Sequence, residues 1–138
     1  MLVSFDHGQG LRQIAAASGV AMPAVERFFS ERELQQRLEA GLVSWSDAHT
    51  EFCRTTESAV SLDRFSLAAG DIFDLRVEML PVLAALQRRR LPVGLLSNSC
   101  EPHWRFICSS GYALLPKAFP IVVLSHEIAL AKPHPAIY

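Results

Sequence analysis

The spacing of apolar residues divides the 138-residue chain into two patterns. Over the first half they recur at helical intervals, interrupted by capping residues. Leu11, Ile14 and Ala15 with Ser18 trace one helical stripe, and Gly19 stands where a C-terminal cap would. Ser30 with Glu33, and Ser44 with Asp47, have the spacing of a capping box, so each pair predicts the start of a new helix. Leu34 and Leu38 form the inward stripe of the first, closed by Gly41; Trp45, Ala48 and Phe52 form that of the second. Ser61 predicts a further cap ahead of Leu62, Phe65 and Ala69. Residues 1–73 therefore predict a small antiparallel helical bundle with aromatic side chains at its centre.

From residue 74 the pattern changes. Met79, Val82, Leu83 and Leu86 make one helical stripe, with Pro81 tolerated in the first turn. "LPVGLLS" and "FPIVVLS" are short unbroken apolar runs, the mark of strands buried on both faces, near Val93 to Leu96 and Ile121 to Leu124. Between them "NSCEPHWRFICSSG" predicts a turn and a helix ending at Gly111. Helix, strand, helix, strand predicts parallel βαβ units. The expected fold class is α/β: a partial, Rossmann-like parallel sheet over residues 74–138, carrying the bundle of residues 1–73 as a separate module.

Composition narrows the partners. The 13 basic and 14 acidic residues give a net charge of −1, which leaves no basic field for a nucleic-acid backbone. The run Arg88-Arg89-Arg90 closes a helical pattern, where cations complement the helix dipole. Cys53, Cys100 and Cys108 form no CxxC pair, so neither zinc spacing nor a disulfide framework is legible, and Cys53 and Cys108 read as buried thiols. No basic leader with a long apolar stretch and no run of membrane-spanning length is present; the chain reads as cytoplasmic, with no membrane partner.

In parallel α/β sheets ligands bind beyond the carboxyl ends of the strands. Two stretches fall there, Ser97-Asn98-Ser99 and the segment from Ser125 to Lys132. A hydroxyl at a strand tip, amides opening a helix and a lysine on the neighbouring loop together suit an anion. Spacing alone leaves two plainer readings open: Ser99 as a cap of the following helix, and Lys132 as a solvated surface cation.

"LLSNS", followed after a helix and a strand by "LSHEIALAKPHPAIY", strongly resembles the haloacid dehalogenase superfamily of hydrolases, in the branch with a helical cap after the first strand. The resemblance spans essentially the whole chain. It places the family's second motif on Ser97 with Asn98 and the third on Lys132 ahead of Pro133. It implies an aspartate nucleophile that forms a covalent ester, later hydrolysed by water, on a small phosphate ester or haloacid. Ser97 would hydrogen-bond the transferring oxygens, Asn98 would shape the substrate side, and Lys132 would hold the nucleophile ionised and neutralise developing charge. Mg2+ would act as Lewis acid and orienting ion. The bundle would close over the site and select the substrate.

The opening "MLVSFDHGQG" allows two registers against the family's first motif, schematically Phe-Asp-x-Gly-Gly-Val-Leu-Val. In one, Asp6 is the nucleophile. In the other, "MLVSFD" is the tail of that motif and Asp6 begins the first cap helix. The first register leaves about four residues for a central strand, requires Gln9 and Gly10 at unsuitable positions, and leaves no linker before "GLRQIAAASGV". The tail register needs none of these exceptions and is preferred. It implies an incomplete hydrolase, with nucleophile and metal-binding carboxylates both outside residues 1–138 and Ser97 and Lys132 retained. A non-catalytic anion-binding or regulatory module, and a divergent enzyme using Asp6, are the alternatives.

Overall fold

The computed structural model describes residues 1–109, 112 and 114–138. A three-residue strand β1 (Val3–Phe5) leads into five helices: α1 (His7–Ser18), α2 (Met22–Glu31), α3 (Leu34–Glu39), α4 (Trp45–Thr56) and α5 (Leu62–Gly70). Strand β2 (Phe73–Leu75) then returns antiparallel to β1, pairing Val3 with Leu75 and Phe5 with Phe73. After a 3-10 turn, Val77–Met79, come α6 (Leu80–Arg88), β3 (Gly94–Ser97), α7 (Glu101–Ser109), α8 (Leu114–Lys117), β4 (Ile121–Leu124) and α9 (Ser125–Ile128). Strands β3 and β4 run parallel, in register from Gly94 opposite Ile121 to Ser97 opposite Leu124. The α/β class and the parallel pair are as the alternation predicts.

The helices form where their caps say. Gly19 closes α1 with a left-handed φ of 71°, while the Ser44 and Ser61 hydroxyls accept from the amides of Asp47 and Arg64 to open α4 and α5. The inward stripes meet as an aromatic centre. Trp45 stacks on Phe65 at 4.6 Å, Phe52 lies 4.9 Å from Phe65, and Phe28 meets Phe52 edge-on at 5.2 Å. The buried indole donates to the Ser66 hydroxyl at 2.8 Å, so it carries no unpaired donor into the core.

Two glycines permit close approach. A Cβ on Gly70 would lie 2.7 Å from the Pro102 carbonyl oxygen, which lets α7 pack directly on α5. Gly41 has φ 66°, and a Cβ there would lie 2.5 Å from the His126 carbonyl oxygen, so the turn after α3 docks onto α9.

Three expectations need correction. Ser30 opens no helix: it lies inside α2, which the buried Val25 and Phe28 continue, and α3 starts after Glu33 in a left-handed conformation without a side-chain cap. The β3 and β4 strands are not buried on both faces. Gly94 and Ile121 are exposed because, among the described residues, the two strands pair only with each other. Cys108 is exposed, since the buried face of α7 is carried by Pro102 and His103, and Cys53 is half-buried; the fully buried thiol is Cys100. The β1–β2 ribbon was not anticipated. The expected helix end at Gly111 lies outside the described residues.

Phe52 is fully buried at the centre of the aromatic cluster, whereas Leu67 on α5 is 61 % exposed. Phe52→Ala should lower unfolding free energy by about 3–5 kcal/mol, and Leu67→Ala by no more than about 0.5 kcal/mol, in urea titrations followed by circular dichroism.

Candidate anion-binding site

Strands β3 and β4 end level, at Ser97 and Leu124, and deliver two loops side by side. The loops are laced together. Asn98 donates from Nδ2 to the Lys132 carbonyl at 3.0 Å and accepts at Oδ1 from the Lys132 amide at 2.8 Å. Below this clasp the Ser99 amide donates to Ser125 Oγ at 3.0 Å, and that hydroxyl donates back to the Ser99 carbonyl at 3.2 Å. The His126 ring also reaches that carbonyl, at 2.9 Å, which requires its proton on Nδ1. Ser99 and Ser125 are buried, so these bonds satisfy groups that water does not reach.

The clasp fixes the Lys132 side chain over the sheet. Its Nζ donates to the Leu96 carbonyl at 2.9 Å, and both residues are half-buried. Ser97 turns its hydroxyl to the Asn98 carbonyl at 3.2 Å. Ser97, Asn98, Ser99 and Lys132 all line one cavity of about 800 Å³, walled on its apolar side by Phe5, Phe73 and Trp104. The structure thus brings Ser97, Asn98 and Lys132 together. Lys132 is no freely solvated cation, and the Ser99 hydroxyl faces the Cys100 carbonyl at 3.4 Å while its backbone ties the loops.

Asp6 stands apart. It is the N-cap of α1, with Oδ1 accepting from the Gln9 amide at 3.1 Å and Oδ2 from Arg12 at 3.0 Å. The Gln9 amide first, and then the Arg12 guanidinium, hold its carboxyl below the usual range. Asp6 does not line the cavity of Ser97 and Lys132.

Three residues of that cavity carried no sequence signal that was used: His7, Glu39 and His103. His103 lies buried in the first turn of α7, edge-on to Phe73 at 5.3 Å and 5.8 Å from the His7 ring. Burial, and then the neighbouring His7, push its pKa down to about 4. Its place shortly after a strand end was the available cue. Glu39 accepts from Gln35 at 2.8 Å.

These residues do not make a magnesium site. Among the described residues no cluster of three or more His, Cys, Asp or Glu side chains is placed to hold a metal. The cavity offers one carboxylate, Glu39, beside imidazoles, where Mg2+ requires an oxygen set.

No model of a known protein family matches the sequence, and neither does any curated protein. Solved structures do match the fold. A HAD family enzyme of Bacteroides thetaiotaomicron superposes with a TM-score of 0.80 at 22% identity, over 99% of this chain and 69% of that one. The chain has the haloacid dehalogenase-like fold. The same HAD enzyme in complex with magnesium and inorganic phosphate gives a TM-score of 0.72 at 21% identity, over 99% and 69% of the two chains. A Porphyromonas gingivalis protein, described as a predicted HAD-like family hydrolase, gives 0.76 at 21% identity, over 99% and 67%. Among the described residues no helix of this HAD-like chain is long and apolar enough to cross a membrane.

His103 gives the HAD-like chain a defined response to acid. Its pKa of about 4 in the folded state lies below the ordinary histidine value of 6.5, so the unfolded chain takes up the proton first. This stabilisation is complete above pH 6.5 and is lost as pH falls toward 4, by about 3 kcal/mol in all. In denaturant titrations across that window, His103→Phe should remove this part of the slope; an unchanged slope would show that the fold does not shift His103.

Proposed function

We propose that this chain is the phosphate-handling part of a haloacid dehalogenase-type hydrolase, and that it binds phosphate monoester groups without hydrolysing them. Ser97, Asn98 and Lys132 form the cradle. The observation that carries this reading is the reciprocal Asn98–Lys132 clasp, which holds a lysine amine and a serine hydroxyl in one cavity beyond the ends of two parallel strands. The phosphate bound by the HAD enzyme of similar fold supports it.

The roles follow from the groups. Lys132 Nζ, now satisfied by a carbonyl, exchanges that partner for a phosphate oxygen and supplies the countercharge. The Ser97 hydroxyl donates to a second oxygen, and Asn98 keeps the lysine in place. The aspartyl-ester mechanism of such a hydrolase needs a carboxylate in line with the bound group. Among the described residues the cavity's one carboxylate, Glu39, is already bonded to Gln35, and Asp6 is bound at both oxygens as a helix cap. These bonds support binding without turnover. The second reading is an anion-binding or regulatory module that is no part of a hydrolase, and Lys132 meeting a backbone carbonyl in place of a carboxylate favours it.

Inorganic phosphate titrated into the 15N-labelled protein should shift the amides of residues 97–99 and 132. Lys132→Ala should weaken that binding by at least about tenfold, the usual cost of a charged hydrogen bond. p-Nitrophenyl phosphate with Mg2+ should release no product above buffer, and Asp6→Asn should leave that unchanged. Turnover abolished by Asp6→Asn would overturn this reading and establish Asp6 as the nucleophile.

A further inference from the structure

A second cavity, of about 430 Å³, lies between α1, α2, α3 and the start of α7. His7 and His103 line both cavities, so the chamber and the anion cradle meet at the two imidazoles. Its deep surface is apolar: Leu11, Ile14, Phe29, Trp45, Ile72 and Pro102. Glu26, Ser30, Glu33 and Gln36 are exposed and form its solvent side. Among the described residues no lysine or arginine lines it.

We infer that the chamber holds an aromatic or aliphatic body whose single anionic head lies in the Ser97–Lys132 cradle. This rests on the anion reading above and names the class of molecule that goes with it. A second anionic group is disfavoured, because Glu26 and Glu33 stand at the rim and no cation offsets them. A polyhydroxylated body is disfavoured too. The inner polar groups are already committed, Trp45 to Ser66 and Gln35 to Glu39, so buried hydroxyls would lose water and gain few partners. His103, kept neutral by burial, adds no charge to attract a second anion. A dry cavity of about 150 Å³ already accepts benzene, so this volume admits a body of one or two rings.

The test compares inorganic phosphate, methylphosphonate and phenylphosphonate by calorimetry and amide shifts on the full chain. Phenylphosphonate should bind about tenfold more tightly than methylphosphonate, as the burial of one ring requires. It should also shift amides of α1 and α2 that methylphosphonate leaves unmoved. Ser30→Trp, which fills the chamber from an exposed position, should abolish the phenyl advantage while leaving methylphosphonate affinity unchanged; Gln36→Trp serves as a second filling variant should the first fail to fold. If phosphate and both phosphonates bind equally, the chamber inference is overturned and the anion cradle stands. If no anion binds, the cradle reading fails and takes this inference with it.

Discussion

Two parallel strands can present a site only if the loops leaving them are held at a common height, and here that constraint is met by side chains bonding to backbone. The Asn98 amide and the Lys132 peptide complete a two-bond ring across the loops, and the Ser99 peptide and Ser125 hydroxyl complete another beneath it. Each hydrogen bond contributes only about 1 kcal/mol net, but an unpaired buried donor costs more than a formed bond contributes. The loops are therefore tied to one another at two levels. The position of the lysine amine is set by this lacing more than by its flexible stem, which is long enough to reach several carbonyls.

The helical half is joined to this unit by a different kind of contact. Phe5, His7, Phe73 and His103 pack ring on ring where the β1–β2 ribbon meets α7, with centroid separations from 4.9 to 6.4 Å. Rings pack against one another without rotamer-rich stems to order, and a neutral imidazole fits such a cluster where an imidazolium would not. The depressed His103 pKa is thus a consequence of the junction. Gly70 and Gly41 bring backbones together elsewhere along the two halves, and the His pair lines both the polar cradle and the apolar chamber.

Much of this was legible because it is written in local periodicity. The stripes that carry Ile14, Leu34, Leu38, Trp45, Phe52 and Phe65 follow helical spacing, and each of these residues is buried. The strand ends that carry Ser97 and Lys132 could be placed because an unbroken apolar run followed by a polar loop has few other readings. What escaped was set by contacts remote in sequence. Strands β1 and β2 are too short to show alternation and exist because each supplies the other's partners across the length of the bundle. Ser30 has the local chemistry of a cap, but the Phe28 stripe carries α2 past it. His103 looks like any helix residue until the fold places His7 against it. The strand burial was overestimated for the same reason: an apolar run reports what a strand can tolerate, and neighbours decide what covers it.

The ribbon has a consequence for how such a molecule can change. The chain leaves through β1 and returns through β2 with its two backbones already bonded, the Asp6 amide to the Ile72 carbonyl at 3.0 Å. Everything from residue 6 to residue 72 is thus an excursion that starts and finishes at one point. Insertions, deletions or wholesale exchange within it leave the distance between its endpoints untouched, and the register of β3 with β4 never senses them. What an exchanged segment must still satisfy are its contacts with the second half: α5 and Gly70 against α7, His7 against His103, the core around Cys100, and Gly41 against the His126 carbonyl. Most of the chamber's lining falls inside this excursion, whereas Ser97, Asn98 and Lys132 all fall outside it.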